Sequence, residues 1–327
     1  LDLSLRVNVS ETIEVTGRAP IVETSRTQVS GAVSEQQIRD LPVNGRNYLD
    51  FVTLSPGVVR DPTRGGDLSF GGQRGPLNSV QVDGVDNNNL FFGQALGRAG
   101  FRPFQFSQEA VQEFQVNTNS FSAEFGRAAG GVVNVITKSG TNQFHGTGYE
   151  FYRDRALNAR NLIRRPVALP AVSPLTPANP KQAYHFHQFG GNIGGPVKKD
   201  RAFFFFNYEG QRNTSPNIVA LGASAPTDAV SLAGLARLTP FLGNYVQQLN
   251  QNVYLGKFDW QIDNSNRLSV RYNHQDFTGV AQESNGPQRS QESSGNSLVK
   301  TNTLTLTLST AFSPRLLNEF RAQIARD

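Results

Sequence analysis

The chain has no cysteine and no methionine, one tryptophan, and only 17% charged residues over its 327 positions. Without cysteine there is neither a disulfide framework nor a thiolate metal site. No apolar run approaches the roughly 20 residues of a membrane-spanning helix. A bilayer protein of this composition must therefore cross as a closed sheet, the other architecture that satisfies the backbone in lipid. The net charge of +5 is basic, yet Lys and Arg are scattered, and no compact basic stripe with interleaved aromatics suggests nucleic acid. With no initiator methionine and a start inside the strand-like run Leu1–Val9, the sequence reads as a piece of a longer precursor.

What is present is alternation. Seven segments pair an apolar face with a polar one at period two. Tyr254, Phe258, Trp260 and Ile262 oppose Lys257, Asp259 and Gln261; Leu268, Val270 and Tyr272 oppose Arg267, Ser269, Arg271 and Asn273. Leu304, Leu306 and Leu308 alternate with Thr303, Thr305 and Thr307, and Phe320, Ala322 and Ile324 with Glu319, Arg321 and Gln323. Earlier, Thr147, Tyr149 and Phe151 stand against Glu150 and Tyr152, Phe189 and Ile193 against Gln188 and Asn192, and Phe204, Phe206 and Tyr208 against Asn207 and Glu209. The links Pro196–Asp200, Asp263–Asn266 and Ala311–Arg315 are short, whereas Asp154–Tyr184, Arg212–Asn252 and Gln275–Leu298 are long. A soluble antiparallel sheet with one wet face shows the same alternation. Charges on the polar sides, aromatics near the strand ends of the apolar sides, and unlike ends instead favour a transmembrane barrel with a watery lumen.

Residues Glu23 to Thr141 read as a small mixed α/β unit. A helix is expected at Ser34–Leu41, opened by Ser34 and closed before Pro42, and a weaker one from Ser107. GRAAGG (Gly126–Gly131) opens the β-prone run VVNVIT, so it reads as a turn and not as a phosphate loop; GGQRG (Gly71–Gly75) reads likewise. His185 and His187 would share a strand face, but no third ligand or carboxylate stands in register, so no metal site is read. Ser, His and Asp are nowhere placed as nucleophile, base and orienter, so no enzyme is expected and no cofactor is implied.

Three segments in order carry a resemblance: LPVNGRNYLDFVTLSPGV (Leu41–Val58), VQVDGV (Val80–Val85) and EFQVNTNSFSAEFGRAAGGVVNVITKSGTN (Glu113–Asn142). Followed by barrel-type strands, they are similar to the plug signatures of TonB-dependent outer-membrane receptors, and the wording LPVNGRNY and FFFFNYEG points to the Oar-like group. The resemblance implies a mainly β fold with a small α/β plug and the N-terminal part of an antiparallel barrel, about seven of about 22 strands. A barrel so incomplete should appear as an open sheet beside the plug. The implied domains are 1–10, the last strand of a carboxypeptidase-regulatory-like β-sandwich; 11–23, a linker; 24–141, the plug; and 142–327, barrel strands with long extracellular loops. Localisation would be the cell outer membrane of Gram-negative type, with lipid around the barrel.

The resemblance also implies sites. Asp86, Asn87, Asn88, Asn89, Phe91 and Phe92 would form one plug apex meeting the ligand, with Gln73, Arg74 and Asn78 on the neighbouring one; a polar turn is the plain alternative. Glu11, Thr12, Ile13, Glu14, Val15 and Thr16 lie where the family keeps the TonB box, which pairs with TonB by strand addition; a linker strand is the alternative. The expected activity is proton-gradient-driven import of an extracellular oligosaccharide or peptide, ahead of an iron chelate. A surface adhesin or assembly protein on the same scaffold is the rival, and a passive porin fits the plug poorly.

Overall fold

The computed structural model describes residues 29–41, 43, 45–61, 67–89, 93, 95–96, 104–119, 121, 125–159, 183–217, 219, 228–241, 244–284, 286 and 289–327. Leu1–Val9, the Glu11–Thr16 segment, Phe91 and Phe92 lie outside the described residues.

The N-terminal unit is built from β1 (Val29–Val33), α1 (Glu35–Asp40), β2 (Val58–Asp61), β3 (Asp67–Phe70), β4 (Ser79–Val82), β5 (Val85–Asp86), β6 (Val111–Asn119) and β7 (Val132–Thr137). Its main sheet has the order β1-β6-β7-β4-β5, with β4 and β7 parallel, while β2 and β3 form a separate hairpin. The α1 start follows the sequence. Ser34 Oγ accepts from Gln37 N, and Gln37 Oε1 accepts from the Ser34 N–H at 3.0 Å, a capping box satisfying donors a helix leaves orphaned. The expected second helix is a single 3-10 turn, Gln108–Ala110, capped by Ser107. It stops there because the next residues, VQEFQVNTN, enter β6. Phe51, Phe106, Phe114, Val82, Val116, Val133 and Val135 fill the core, each contributing about 1.5–3 kcal/mol by burial.

The second unit is one antiparallel sheet of seven strands in sequence order: β8 (His145–Asp154), β9 (His185–Lys198), β10 (Ala202–Asn217), β11 (Tyr245–Gln261), β12 (Asn266–Glu283), β13 (Gly295–Ser313) and β14 (Leu316–Arg326). It is open, with β8 and β14 at its edges. Short turns at 199–201, 262–265 and 314–315 lie at one end and long links at the other, the asymmetry of outer-membrane barrels.

One face of this sheet meets the plug: Asn207, Glu209, Leu255, Arg271, Asn273, Thr303 and Thr305 are buried. On the other face Phe206, Tyr254, Phe258, Trp260, Tyr272, Leu304, Phe320 and Ile324 are exposed. A water-soluble sheet would cover that belt; a barrel gives it to lipid. An upper aromatic row runs Phe189, Tyr208, Tyr254, His274, with successive ring centroids 6.1, 4.8 and 5.9 Å apart. Trp260, toward the short turns, stands about 20 Å from Tyr254 along β11, within an apolar band about 25 Å tall.

Three expectations change. First, β10, β11 and β12 run far into the segments read as long loops, with Asn213–Asn217 paired to Tyr245–Leu249. Above the aromatic row neither face needs to be apolar, so alternation fades while the backbone ladder continues. Second, the link from β10 to β11 carries a helix, α2 (Ala229–Leu238), capped by Asp228 accepting from Ser231 N at 2.8 Å. Third, β8 is turned the other way. Tyr149 and Phe151 face the plug under the Arg46 guanidinium, 4.9 and 4.6 Å from their ring centroids. The Tyr149 hydroxyl, donating to Glu209 at 2.7 Å, would have no such partner in lipid, which fixes the strand's phase.

Candidate functional site at the plug and barrel interface

The hairpin β4–β5 turns through Asp83 and Gly84, with φ of 51° and 75°. Positive φ at both positions is the two-residue turn that Asp-Gly favours, matching the twist of the flanking strands. The turn pushes the Asp83 carboxylate against the barrel wall. Arg271 Nη1 donates to Asp83 Oδ2 at 2.6 Å, and Lys257 Nζ lies 3.7 Å from Oδ1. On the plug side Thr137 donates twice to Asp83, from its N–H at 2.9 Å and its hydroxyl at 2.7 Å. Lys257 in turn donates to the Thr137 carbonyl at 3.2 Å. Burial pushes the Asp83 carboxyl up, but Arg271, Lys257 and Thr137 outweigh it and hold it below the usual carboxylate range. Arg321 Nη1 adds a bond to the Gly84 carbonyl at 2.9 Å. The result is a charge lock between plug and barrel.

A second set of contacts rests on uncharged plug groups, with the Arg46–Glu109 pair as its charged plug component. Gln251 Nε2 donates to the Phe104 carbonyl at 2.6 Å, Asn273 Nδ2 to the Gln105 carbonyl at 3.1 Å, and Gln105 Nε2 to Thr303 Oγ1 at 2.8 Å. The buried Glu209 accepts from Ser107 Oγ at 2.6 Å, from Tyr149, and from Gln188 Nε2 at 2.6 Å. Arg46, ion-paired to Glu109, covers this cluster from the plug. Apolar packing joins it: Phe205 and Leu255, on β10 and β11, belong to the plug's own buried core.

The two apices expected to meet ligand are neighbours. A Cβ on Gly93 would strike Pro76, and a cavity of about 30 Å³ is lined from both loops, by Gly75 and Asn78 and by Asn88 and Gly93. Gln73 and Arg74 are exposed, as is Asp86, which pairs with Arg127 at 3.2 Å. Asn78, Asn87 and Asn88 are buried. Asn78 Nδ2 donates to the Leu68 carbonyl at 2.5 Å, and Asn88 exchanges two 3.2 Å bonds with the Val80 backbone. Asn87 has both side-chain polar atoms unpaired among the described residues. Asn89 Nδ2 donates to Asp327 at 2.7 Å.

His185 and His187 share a strand face as expected, with ring centroids 4.7 Å apart. The expectation that no carboxylate stands in register is corrected: Asp154 lies 3.4 Å from His185 Nδ1, and Glu150 lies 3.1 Å from His187 Nδ1. These carboxylates come from β8, whose pairing with β9 brings Tyr152 opposite His187. Among the described residues no group of three or more His, Asp or Glu is arranged to hold a metal. Sequence reasoning missed the Asp83 lock. Asp-Gly between alternating valines marks the hairpin, but Arg271 lies 188 positions away and no local pattern joins the two.

The outer membrane beta barrel domain family matches residues 136–240 and 233–327. The chain is 29% identical over 224 residues to the TonB-dependent transporter Oar of Myxococcus xanthus, covering 64% of this chain and 20% of that protein. It is 28% identical over 182 residues to a probable TonB-dependent siderophore receptor, PirA, of Acinetobacter baumannii, covering 50% and 23%. Among solved structures it resembles a mutant of the ferric enterobactin receptor PfeA of Pseudomonas aeruginosa in complex with enterobactin. That match has a TM-score of 0.62 at 14% identity, over 92% of this chain and 41% of that one. The outer membrane transporter YddB of Escherichia coli gives a TM-score of 0.59 at 12% identity, over 91% and 38%. The chain thus spans about a fifth of the curated relatives it matches. With an open sheet whose outward belt is apolar and whose inner face is filled by a plug, the chain belongs to the outer-membrane β-barrel domain family, in the TonB-dependent receptor fold, and resides in the Gram-negative outer membrane.

Proposed function

We propose that the whole protein is a TonB-dependent importer of a large extracellular oligosaccharide or peptide, driven by the proton gradient. The observation that carries this reading is the buried ionic lock that the plug makes with β11 and β12 beside the apolar anchoring by Phe205 and Leu255. A permanent stopper is best fixed by apolar packing, whereas Asp83, Arg271 and Lys257 form a buried ionic contact that can part when pulled and re-form. Cargo meets the apices through exposed Gln73, Arg74 and Asp86, with Asn78, Asn87, Asn88 and Asn89 supporting them; Phe91 and Phe92 join this contact on the family resemblance alone. Occupation frees the Glu11–Thr16 segment for TonB, which adds it as a strand. Cargo drives this only through unequal affinity for the two plug states. Deleting residues 11–17 in the full receptor tests the reading. Uptake should vanish while surface binding persists; undiminished uptake would remove the grip site.

A further inference from the structure

The plug is fastened differently on its two sides. Toward β9, β10 and the middle of β11 the join is close: Phe205 and Leu255 are buried in the plug core, and Glu209 is saturated with donors. Toward β11–β14, at the end of the short turns, the structure leaves a cavity of about 210 Å³. Among the described residues Asp83 is the only plug residue lining it, and the others are barrel. The acids there face bases. Asp259 lies 3.5 Å from Arg267, Glu319 pairs with Arg321, and Asp83 holds Arg271 with Lys257 nearby. Between them stand the hydroxyls of Ser269, Thr307 and Ser309. Asp259 is buried, and its Oδ2 has no hydrogen-bond partner among the described residues.

Resting on the import reading, we propose that cargo leaves along the inner wall of β12–β14, and that this cavity is its last polar station, suited to an uncharged, hydroxyl-rich solute. Three arguments support it. The cavity and the charge lock share Asp83, so withdrawing the Asp83–Gly84 turn removes the cavity's one plug wall and extends it up to Arg271. Opening toward β9–β11 would instead require tearing Phe205 and Leu255 from the plug core, whereas β12–β14 hold the plug through the polar contacts of Arg271, Asn273, Thr303 and Arg321. The wall's charges already oppose one another, so a multiply charged cargo finds no uncompensated counter-charge. Sugar hydroxyls find many weak partners, the condition for a site that solute can enter and leave.

The chain has no cysteine, so single thiols report cleanly once any elsewhere in the full receptor are replaced by serine. Thr307→Cys and, as a second position, Ser269→Cys mark the cavity; Asn192→Cys marks the inner face on the β9 side, and Ser293→Cys the outer surface. Energised cells in rich medium, with and without TonB, receive a maleimide on a neutral glycol chain too long for general porins, or on a polyanionic chain of equal length. Ser293→Cys should react throughout. Thr307→Cys and Ser269→Cys should react with the neutral reagent, lose that labelling without TonB, and react poorly with the polyanion, while Asn192→Cys stays unlabelled. TonB-dependent labelling of Asn192→Cys, alone or alongside the cavity positions, overturns the proposed path and leaves import standing. Equal reaction with the polyanion overturns the cargo class. No TonB dependence at either wall overturns the import reading itself.

Discussion

Replacing Asp83 by Asn removes one negative charge from a site where two cations are buried. The side chains of Arg271 and Lys257 are 2% and 8% exposed, and Asp83 is the carboxylate that both approach. Asn keeps an oxygen for the Thr137 N–H, so the turn's local bonding survives while the counter-charge goes. Stranding one partner of a buried ion pair costs about 3–5 kcal/mol. The readout is the urea dependence of plug protection from protease in outer-membrane vesicles carrying the full receptor. With an m-value of about 2 kcal/mol per molar, the plug midpoint should fall by roughly 2 M while the barrel transition stays in place. Arg271→Gln in the same background should recover much of the loss, since the largest stranded charge is then gone. A midpoint within about 0.5 M of the parent, outside ordinary extrapolation error, would refute the reasoning and mean that water already reaches the pair.

The same lock carries a pH signature. Because the folded Asp83 carboxyl lies below its usual range, its stabilisation is complete above about pH 4 and is lost as pH falls through the depressed value; plug midpoints measured from pH 7 to 3 should drop only at the acid end, and less in Asp83→Asn. Glu209→Gln leaves one acceptor oxygen where Ser107, Tyr149 and Gln188 all donate, costing about 1.5–3 kcal/mol of plug stability in the same urea assay. Arg46→Ala loses the Glu109 pair and both ring contacts, for about 1–2 kcal/mol read as faster plug proteolysis. Leu306→Arg on the lipid face should cost about 2–4 kcal/mol of barrel stability by refolding titration into bilayers, whereas Thr307→Arg, one residue on and facing the lumen, should cost far less.

Legibility in the sequence follows how many demands a residue serves. The Thr–Leu alternation of β13 has one wet face and one lipid face, so 303 to 308 declare strand and phase together. In β8, aromatic residues occupy both faces, and phase is decided by Arg46 and Glu209, which sequence does not place nearby. The upper half of β10 is mainly polar, and that of β11 sets Tyr245, Val246 and Leu249 among Asn and Gln, so the ladder leaves only a weak periodic trace. At the plug apices, composition announces polar turns but not burial. Asn88 is spent on the Val80 backbone, while Asp86, two positions earlier, reaches Arg127.

The continued pairing of β10 with β11 and β11 with β12 beyond the upper aromatic row has a consequence for encounter. Tyr245 lies nine positions from Tyr254, about 30 Å farther along a strand, so the links at 218–244 and 284–294 are carried on a stiff parapet. The height of their tips is set by ladder length and not by loop slack. Tip sequences can therefore change without disturbing the Asp83 contact with Arg271 and Lys257 far beneath them.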